Sequence, residues 1–477
     1  MRRKLIASCL FAPFFVVAPQ VFAPQVFTPQ DLPPQVYASL VGASVAWAGD
    51  DGGDDGGDDG DDGGGAGVSD HGGPTDRYFG PGQARRYQGR RSRTRQRRAQ
   101  PRRVRQARQK PARPAPERPR TTREILAADL TDDDVERLVA VGFQVTGDRS
   151  RNGTDRRLTR LAIATARSER SLLQFARRTV ASARFAPNSA YARPATDRVS
   201  PTGEPCGRDC AVFELTNWSD DIAKCATQAV IGLIDTGVDL AHPVLRGARV
   251  QAFVVARDDQ PPADLVHGTA VASLLVGVQD GPNPGVAPGA RLVAVNAFHQ
   301  RGTETVAETF DLIAALDFMR INNIKVVNMS LSGPKNDFLE EALKTLTDEG
   351  AVVVAAVGVP SKSLGYPARY PNVIAVTSVD ARLRSSRRSA RGEHVDFAAP
   401  GAGIIAAAPD GAYHVVDGSS FATPIVTAAY AVGLVNRDRR EVTRLLADAA
   451  RDLGKPGRDP IYGHGVLQFE PLRACGE

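Results

Sequence analysis

Long apolar runs in the second half of the chain predict strands and helices that are buried on all sides. Residues 229–235 (AVIGLID) form a continuous apolar run that ends in a carboxylate, and residues 352–356 (VVVAA) form a second run. Such runs are typical of parallel strands covered on both faces of a sheet, because an exposed face would bring alternating polar residues. The runs at 270–277 (AVASLLVG) and 425–434 (IVTAAYAVGL) are longer and predict buried helices. These elements indicate an α/β domain.

A different pattern, from Thr122 to Arg193, predicts a small separate α+β unit. Three segments and a final short stretch leading to Tyr191 alternate like strands, and two segments have the spacing of amphipathic helices. The first helix begins at the capping sequence Thr131-Asp132-Asp133-Asp134. The resulting order β-α-β-β-α-β is the split βαβ pattern of ferredoxin-like units. A unit of this size supports only a marginal core of its own.

The first 48 residues have the features of an export signal. Residues 2–4 (RRK) precede the apolar run 5–18, and residues 46–48 (AWA) have the small-x-small form of a signal peptidase site. The prolines between residues 13 and 29 disfavour the alternative, a single straight membrane anchor. No later segment offers about 18–20 uninterrupted apolar residues, which excludes a polytopic membrane protein. We therefore expect export to the periplasm, the cell surface or the medium, with no stable membrane span.

Charge is sharply separated in the region 49–121, which we expect to be disordered. The net charge of the 477 residues is only +6, yet residues 85–123 hold sixteen Arg and one Lys against one Glu. The Gly/Asp run at 50–62 holds eight Asp. Blocks of this kind are usually solvated tails. The Arg-rich tract could contact an anionic polymer weakly, but Tyr87 is its one aromatic residue, so nothing suggests base recognition.

Three polar residues stand at the ends of the predicted buried elements. Asp235 ends the first strand, at the sheet edge where open α/β proteins place their sites. His267 opens a buried helix, and the following Gly268 leaves room beside its ring. Ser420 lies at the start of the last buried helix, where peptide N–H groups and the positive helix end would stabilise an oxyanion. Each residue alone has a structural explanation, such as a helix cap for the serine.

The order Asp235, His267, Ser420, together with the sequence around each residue, makes region 225–470 resemble the subtilisin-like serine proteases. DTGVD, HGTAVAS and GSSFATP match the three catalytic blocks of that family, with Ser419 in place of the usual threonine. The resemblance implies a subtilisin-like three-layer α/β/α fold with a parallel central sheet. It also implies that NMSLSG (328–333) is the edge that pairs with substrate backbone, which assigns substrate binding to Ser330, Leu331, Ser332 and Gly333.

The resemblance further implies acyl-transfer chemistry on polypeptide substrates. Ser420 would attack the scissile carbonyl, His267 would take up and return the proton, and Asp235 would orient the imidazole and stabilise its charged form. No metal or organic cofactor is required. Members of the family often bind structural calcium, but the sequence contains no clear ligand set for it. Because the substrate is held by backbone pairing, we expect broad specificity.

One departure from the family pattern concerns the oxyanion hole. The family usually has an asparagine after the glycine that follows the VVVAA-type strand, whereas here Val359 follows Gly358. Valine has no donor, so the backbone N–H of Ser420 remains from the usual pair, unless Ser361, Lys362 or Ser363 supplies a substitute. The sequence leaves open a weakened protease, a substituted donor and a non-catalytic binding protein of the same fold. The intact triad favours the active enzyme.

The small α+β unit lies where exported proteases carry a propeptide. The resemblance implies that it assists folding and covers the cleft, so that the chain is a zymogen cut between Ala192 and Glu204; a permanently attached module is the alternative. The predicted organisation is a signal peptide at 1–48, a disordered region at 49–121, a propeptide-like unit at 122–195, a cysteine-containing linker at 196–228 and a catalytic domain at 229–477.

The cysteines are consistent with export. Cys9 would leave with the signal, and Cys206, Cys210, Cys225 and Cys475 would form two disulfides in an oxidising compartment, with three possible pairings. A bridge to Cys475 would tie the carboxyl terminus to the start of the domain. Metal ligation by Cys206 and Cys210 is a weaker alternative, because no histidine lies near them in the sequence.

Overall fold

The computed structural model describes residues 121–150, 157–193, 198–201, 203–361, 364–386 and 389–473. The predicted signal peptide, the Gly/Asp and Arg-rich tracts and Cys475 lie outside the described residues, as do residues 194–197 and 202 of the predicted cleavage region.

The small unit is a four-stranded antiparallel sheet with two helices on one face. Thr131 and Asp134 form a reciprocal capping box at the start of the first helix, and Ser168 caps the second. The strand order in the sheet is β2-β3-β1-β4. The elements follow the predicted order: β1 (Thr121–Ala128), α1 (Asp132–Ala140), β2 (Gln144–Ser150), β3 (Arg157–Thr165), α2 (Glu169–Thr179) and β4 (Arg184–Pro187).

A connecting segment with two short strands and two short helices leads to the large unit. Cys206 and Cys210 form a disulfide in it, rather than a metal site. Cys225 is also disulfide-bonded, and its Sγ lies 3.7 Å from the carbonyl oxygen of Leu472, so this segment lies beside the carboxyl-terminal part of the domain. Its elements are β5 (Ala190–Ala192), β6 (Arg198–Pro201), α3 (Ala211–Leu215) and α4 (Asp220–Ala226).

The large unit alternates strands and helices around a seven-stranded parallel sheet. The strand order in that sheet is β17-β16-β14-β12-β7-β9-β8. In chain order the elements are β7 (Val230–Asp235), β8 (Arg249–Val254), α5 (Val266–Val276), β9 (Arg291–Asn296), β10 (Phe298–Arg301), β11 (Glu304–Glu308), α6 (Thr309–Ile321), β12 (Val326–Met329), β13 (Gly333–Pro334), α7 (Asp337–Asp348), β14 (Val352–Ala356), β15 (Leu364–Tyr366), β16 (Val373–Val379), β17 (Phe397–Pro400), β18 (Ala402–Ala407), β19 (Tyr413–Asp417), α8 (Ser419–Gly433) and α9 (Arg439–Ala449).

Successive residues of the central strands face two different helical layers. In β14, Val352 and Val354 belong to the core that includes α5 and α8, whereas Val353 and Ala355 belong to the core that includes α6 and α7. Both faces of the sheet are therefore covered, which explains why these strands are apolar without alternation. The predicted three-layer α/β/α fold with a parallel central sheet is confirmed.

The second face of the small sheet packs on the large unit. Leu126, Ala128 and Leu158 share a hydrophobic core with α6 and α7, while the opposite face of their sheet covers its own two helices. Two further sheets join the connecting segment to the large unit: β5 pairs with β11, and β6 pairs with β19. The strands on both sides of residues 194–197 are thus held by the large unit.

Candidate active site

Asp235 and His267 meet at the carboxyl end of the central sheet. Asp235 is the last residue of β7, and His267 is the second residue of α5. The imidazole Nδ1 donates to Asp235 Oδ1 over 2.7 Å, and both side chains are buried. This hydrogen bond places the ring proton on Nδ1 and leaves the lone pair of the neutral imidazole on Nε2.

The segment after Asp235 fixes the start of α5. The Thr236 hydroxyl accepts from the backbone N–H of Gly268 at 2.9 Å, and a β-carbon on Gly268 would collide with the carbonyl oxygens of Thr236 and Gly237. Glycine is therefore required beside the histidine for steric reasons. Gly268 was singled out from the sequence, whereas the contact of Thr236 with it is non-local and was missed.

Ser420 lies in the first turn of α8 and contacts the predicted substrate-binding edge. Its Oγ donates to the carbonyl oxygen of Ser330 at 3.2 Å, and the Ser330 hydroxyl donates to the carbonyl oxygen of Ser420 at 2.8 Å. Asn328 Nδ2 donates to Ser330 Oγ at 2.9 Å, and Thr427 Oγ1 donates to Asn328 Oδ1 at 2.9 Å. This buried network, which sequence reasoning missed, joins the end of β12 to α8.

The three predicted triad residues lie at element ends on the same edge of the sheet. His267 contacts Asp235 directly, and the imidazole packs against the ring of Phe421 with centroids 5.4 Å apart. Phe421 is the residue after Ser420, so the two helix starts are adjacent. In this structure the hydroxyl of Ser420 is hydrogen-bonded to Ser330.

Val359, at the position of the usual oxyanion asparagine, is half-buried and directly follows Gly358. The backbone N–H of Gly358 donates to Ser419 Oγ at 3.4 Å, so this turn lies beside the start of α8. Of the suggested substitute donors, Ser361 accepts through its carbonyl from Arg369 Nη2 at 2.6 Å. Lys362 and Ser363 lie outside the described residues.

The cleft edge at Ser332 is already paired with a strand of the same chain. Ala192 of β5 donates its N–H to the carbonyl of Ser332 at 3.0 Å and accepts from the Ser332 N–H at 2.8 Å. On its other side, β5 pairs antiparallel with β11, which places Tyr191 opposite Ala307. The segment that follows the small unit is therefore paired with β11 on one side and with Ser332 on the other, in an extended conformation. Sequence reasoning identified the Ser332 edge but missed β11.

Tyr191 anchors this strand in the large unit. Its side chain is fully buried, its hydroxyl donates to the carbonyl of Pro334 at 2.7 Å, and burial raises the pKa of that hydroxyl. A β-carbon on Gly333 would collide with the tyrosine ring, so the glycine next to Ser332 makes room for it. The predicted substrate-binding residues Ser332 and Gly333 thus contact β5 in this structure.

A cluster of charged side chains lies where the small unit packs on α6. Arg257 Nη1 pairs with Glu124 at 3.2 Å and with Glu308 at 3.1 Å. Arg149 and Arg160 of the small unit lie over the Phe310 ring, 4.7 and 5.0 Å from its centroid. Burial raises the pKa of Glu308, lowers the pKa of His299 to about 4 and raises the pKa of Asp311 to about 7.

Asp311→Asn is expected to stabilise the chain above neutral pH and to have little effect near pH 4. The folded carboxyl binds its proton up to about pH 7, whereas the unfolded one releases it near its usual pKa of 3.8. The contribution of the protonated carboxyl group to the free energy of unfolding is therefore fully present below pH 4 and is lost as the pH rises to 7. Arg149 and Arg160 lie nearby, but burial still raises the pKa of Asp311. Asparagine carries no charge at any pH, so its advantage should grow over this window to roughly 1–4 kcal/mol.

This prediction is tested by urea unfolding from pH 4 to pH 8, in a Ser420→Ala background that prevents self-digestion. Glu308, Arg257 and His299 are common to both chains, so the difference between them isolates Asp311. The matched control is Asp337→Asn, which removes a carboxylate whose side chain is 84% exposed and leaves the buried cluster unchanged. An equal stability difference at pH 5 and pH 8 would contradict the prediction.

Two findings concern metals and membranes. Among the described residues, no group of three or more His, Cys, Asp or Glu side chains is arranged to hold a metal ion. Within the same part of the chain, no helix combines the length and the apolar character needed to cross a membrane.

The large unit of this chain is similar in sequence to a known family and to several known proteins. The model of the subtilase family (Peptidase_S8) matches residues 226–465. A subtilisin of Bacillus pumilus is 33% identical over 253 residues, which cover 50% of this chain and 89% of that protein. A thermophilic serine proteinase of Bacillus sp. (strain AK1) is 32% identical over 254 residues, which cover 52% of this chain and 63% of that protein. The match thus spans less than two thirds of the latter relative.

The fold is also found in a solved structure. The crystal structure of fervidolysin from Fervidobacterium pennivorans, a keratinolytic enzyme related to subtilisin, superposes with a TM-score of 0.63 at 21% identity. The superposition covers 74% of this chain and 61% of that one. Since the matched share of this chain is larger than the share matched by the family model, the likeness in fold extends beyond residues 226–465.

Proposed function

The chain belongs to the subtilase family, and we propose that it is an exported serine endopeptidase made as a zymogen. The observation that carries the proposal is the 2.7 Å hydrogen bond between the buried His267 and Asp235, at the sheet edge where α8 presents Ser420. Polypeptides are the proposed substrates, and no cofactor takes part in the proposed chemistry.

The residues of the site would act as follows. His267 Nε2 takes the proton from Ser420 as Oγ attacks the scissile carbonyl, and later gives it to the leaving amine. Asp235 holds the imidazole with its proton on Nδ1 and stabilises the imidazolium once it forms. Before attack, Ser420 must exchange its hydrogen bond with the Ser330 carbonyl for one with His267.

Oxyanion stabilisation would rest mainly on backbone donors. The N–H of Ser420 lies in the first turn of α8, where the helix leaves its N–H groups without helical partners and is positively polarised. The side chain of Val359 contributes no donor. We therefore propose an active enzyme whose rate is limited by a weakened oxyanion hole.

The zymogen proposal is supported by the position of β5. A strand that follows the small unit occupies the cleft edge at Ser332 through two backbone hydrogen bonds, and Tyr191 fills the space beside Gly333. While β5 stays in place, another peptide cannot make the same hydrogen bonds. Cutting the chain after β5 would allow the small unit to leave and would free this edge for substrates.

The register of β5 predicts where the zymogen is cut. Ala192 pairs with Ser332 in an antiparallel sense, and Ser330, two residues earlier on that edge, is the residue bonded to Ser420. Counting two residues forward from Ala192 gives Pro194. We therefore expect cleavage between Pro194 and Ala195, within the range predicted from the sequence. Amino-terminal sequencing of the processed enzyme should read Ala195-Thr196-Asp197. A stable start elsewhere in the range 192–204 would contradict the register but leave the zymogen proposal intact.

Labelling with a fluorophosphonate probe tests the enzyme itself. The purified wild-type chain, after removal of the small unit, is expected to be labelled, and Ser420→Ala is expected to lose the label. Ser219→Ala is the matched control, because Ser219 lies at the start of α4 and its hydroxyl has no hydrogen bond within the described part of the chain. An unlabelled wild-type chain that is folded and processed would refute the proposal.

The second candidate function is a subtilase-fold protein that binds peptides without cleaving them. It is favoured by one observation, the absence of a side-chain donor at Val359. A folded wild-type chain that binds peptide but neither reacts with the probe nor hydrolyses the peptide would support it.

A further inference from the structure

Two chain segments form a crevice beside Ser420. They extend beyond β12 and β14, which are neighbours in the central sheet. The first wall is Ser330–Ser332. The hydroxyl of Ser330 donates to the carbonyl of Ser420, and the hydroxyl of Ser420 donates to the carbonyl of Ser330. The second wall is Gly358, whose N–H donates to Ser419 Oγ at 3.4 Å. We call the space between these walls the acyl crevice.

The acyl crevice borders the place where a substrate is cut. The antiparallel pairing of Ala192 with Ser332 indicates the direction of an extended peptide at this edge. A peptide that continued in the same register would bring the residue two positions after the one paired with Ser332 opposite Ser330, which is hydrogen-bonded to Ser420. For attack, the carbonyl of that residue must approach Oγ of Ser420 and the N–H groups at the start of α8. Its side chain then has to fit between the walls that contact residues 419 and 420.

The side chain of Ser332 reaches across this crevice to the opposite wall. A β-carbon built on Gly358 would lie 2.6 Å from Ser332 Oγ and 3.0 Å from Ser332 Cβ, so the two walls are in contact there. Gly358 also has a φ of +71°, a left-handed conformation that favours glycine. Ser332 Oγ is buried and has no hydrogen-bond partner in the described part of the chain.

We propose that Ser332 closes the acyl crevice and restricts cleavage to peptide bonds that follow small residues, such as alanine, serine, glycine or proline. This inference rests on the proposed endopeptidase function and names the substrate class of that site. Ser332 acts as a specificity-determining residue: its backbone binds the substrate strand, and its side chain limits the size of the residue before the scissile bond.

The chain's own predicted junction agrees with the proposal. Cleavage between Pro194 and Ala195 would place a small side chain in the acyl crevice. The aromatic residue of that segment, Tyr191, is buried beside Gly333, three positions before Pro194 in the sequence. A zymogen whose crevice accepted only large side chains would cut this segment poorly.

The test compares wild type with Ser332→Gly and Ser332→Ala on internally quenched peptides. The peptides carry the sequence of residues 188–199, with Pro194 replaced in turn by Ala, Leu or Phe, and kcat/KM is measured for each together with the site of cleavage. The wild type is expected to prefer Ala. Ser332→Gly removes the side chain that spans the crevice, and it should raise the Phe-to-Ala ratio of kcat/KM by about 10- to 200-fold.

Ser332→Ala is the matched control, because it keeps the β-carbon that approaches Gly358 and removes only the hydroxyl. It should change the Phe-to-Ala ratio much less than glycine does. A wild type that cuts after Phe as readily as after Ala, or a glycine variant with an unchanged ratio, would overturn the inference while leaving the endopeptidase function standing. A wild type that cuts none of the peptides and does not react with the fluorophosphonate probe would instead refute the proposed function.

Discussion

Replacing Ser420 with alanine is expected to lower kcat for peptide hydrolysis by about 10⁶ and to leave the chain uncut between the small and large units. The reason is that the three triad residues act as one unit, so removal of the nucleophile leaves only binding and the backbone oxyanion donors. The loss of about 2 × 10⁶ measured for this change in subtilisin itself sets the scale. Hydrolysis of a quenched peptide and the size of the chain on a denaturing gel measure the two effects.

Two controls make this result interpretable. Ser219→Ala should be processed and active like the wild type, because the Ser219 hydroxyl forms no hydrogen bond with Asp235, His267 or Ser420 in the described part of the chain. Adding active wild-type enzyme to the Ser420→Ala chain should cut it near residue 194, which would show that the variant is folded with its junction accessible. Self-cleavage of Ser420→Ala without added enzyme would exclude Ser420 as the nucleophile.

Introducing asparagine at Val359 is expected to raise kcat by about 10²–10³. An amide at this position can donate to the developing oxyanion, and removal of such a donor from subtilisin costs about 2.7–4 kcal/mol of transition-state stabilisation. Because the donor acts mainly in the transition state, kcat should rise while KM changes little. Steady-state kinetics of the processed enzyme give both values.

Val359→Leu is the control for this gain. Leucine alters the bulk of the half-buried side chain without adding a donor, so it should not increase kcat. If the asparagine variant gained nothing, a donor other than residue 359 would already serve the oxyanion in the wild type, and the proposal of a weakened hole would be wrong. If both variants gained equally, packing rather than hydrogen bonding would explain the effect.

The fold was predictable because local patterns determine most of it. The unbroken apolar run that ends at Asp235 can be buried only in a strand covered on both sides, and β7 is such a strand. The capping sequence at Thr131 fixes the start of α1 by interactions within four residues. The candidate residues Asp235, His267 and Ser420 could be selected because the short sequences around them, in this chain order, resemble the three blocks of one family.

The remaining features depend on contacts between segments far apart in the chain. The hydrogen bonds of Ser420 with Ser330 join residues 90 positions apart, and no local pattern encodes them. The pairing of β5 with β11 and the close approach of Ser332 to Gly358 also join segments that are distant in the sequence. Such contacts depend on the tertiary fold and leave no local sequence pattern. The pKa of Asp311 is raised because the carboxyl group is buried. An aspartate in a helical segment is usually exposed, so the sequence alone does not predict this burial.

The pairing of β6 with β19 would limit how far the chain could be shortened after the cleavage proposed above. Arg198 lies opposite Asp417, and two residues after Asp417 the chain enters the helix that presents the nucleophile. We expect an aminopeptidase that removed residues one by one from residue 195 to slow down at residue 198, because the backbone is hydrogen-bonded to β19 from there on. Shortening past residue 201 would leave one edge of β19 unpaired, and the segment that leads into α8 and Ser420 would lose the backbone hydrogen bonds that β6 makes with it.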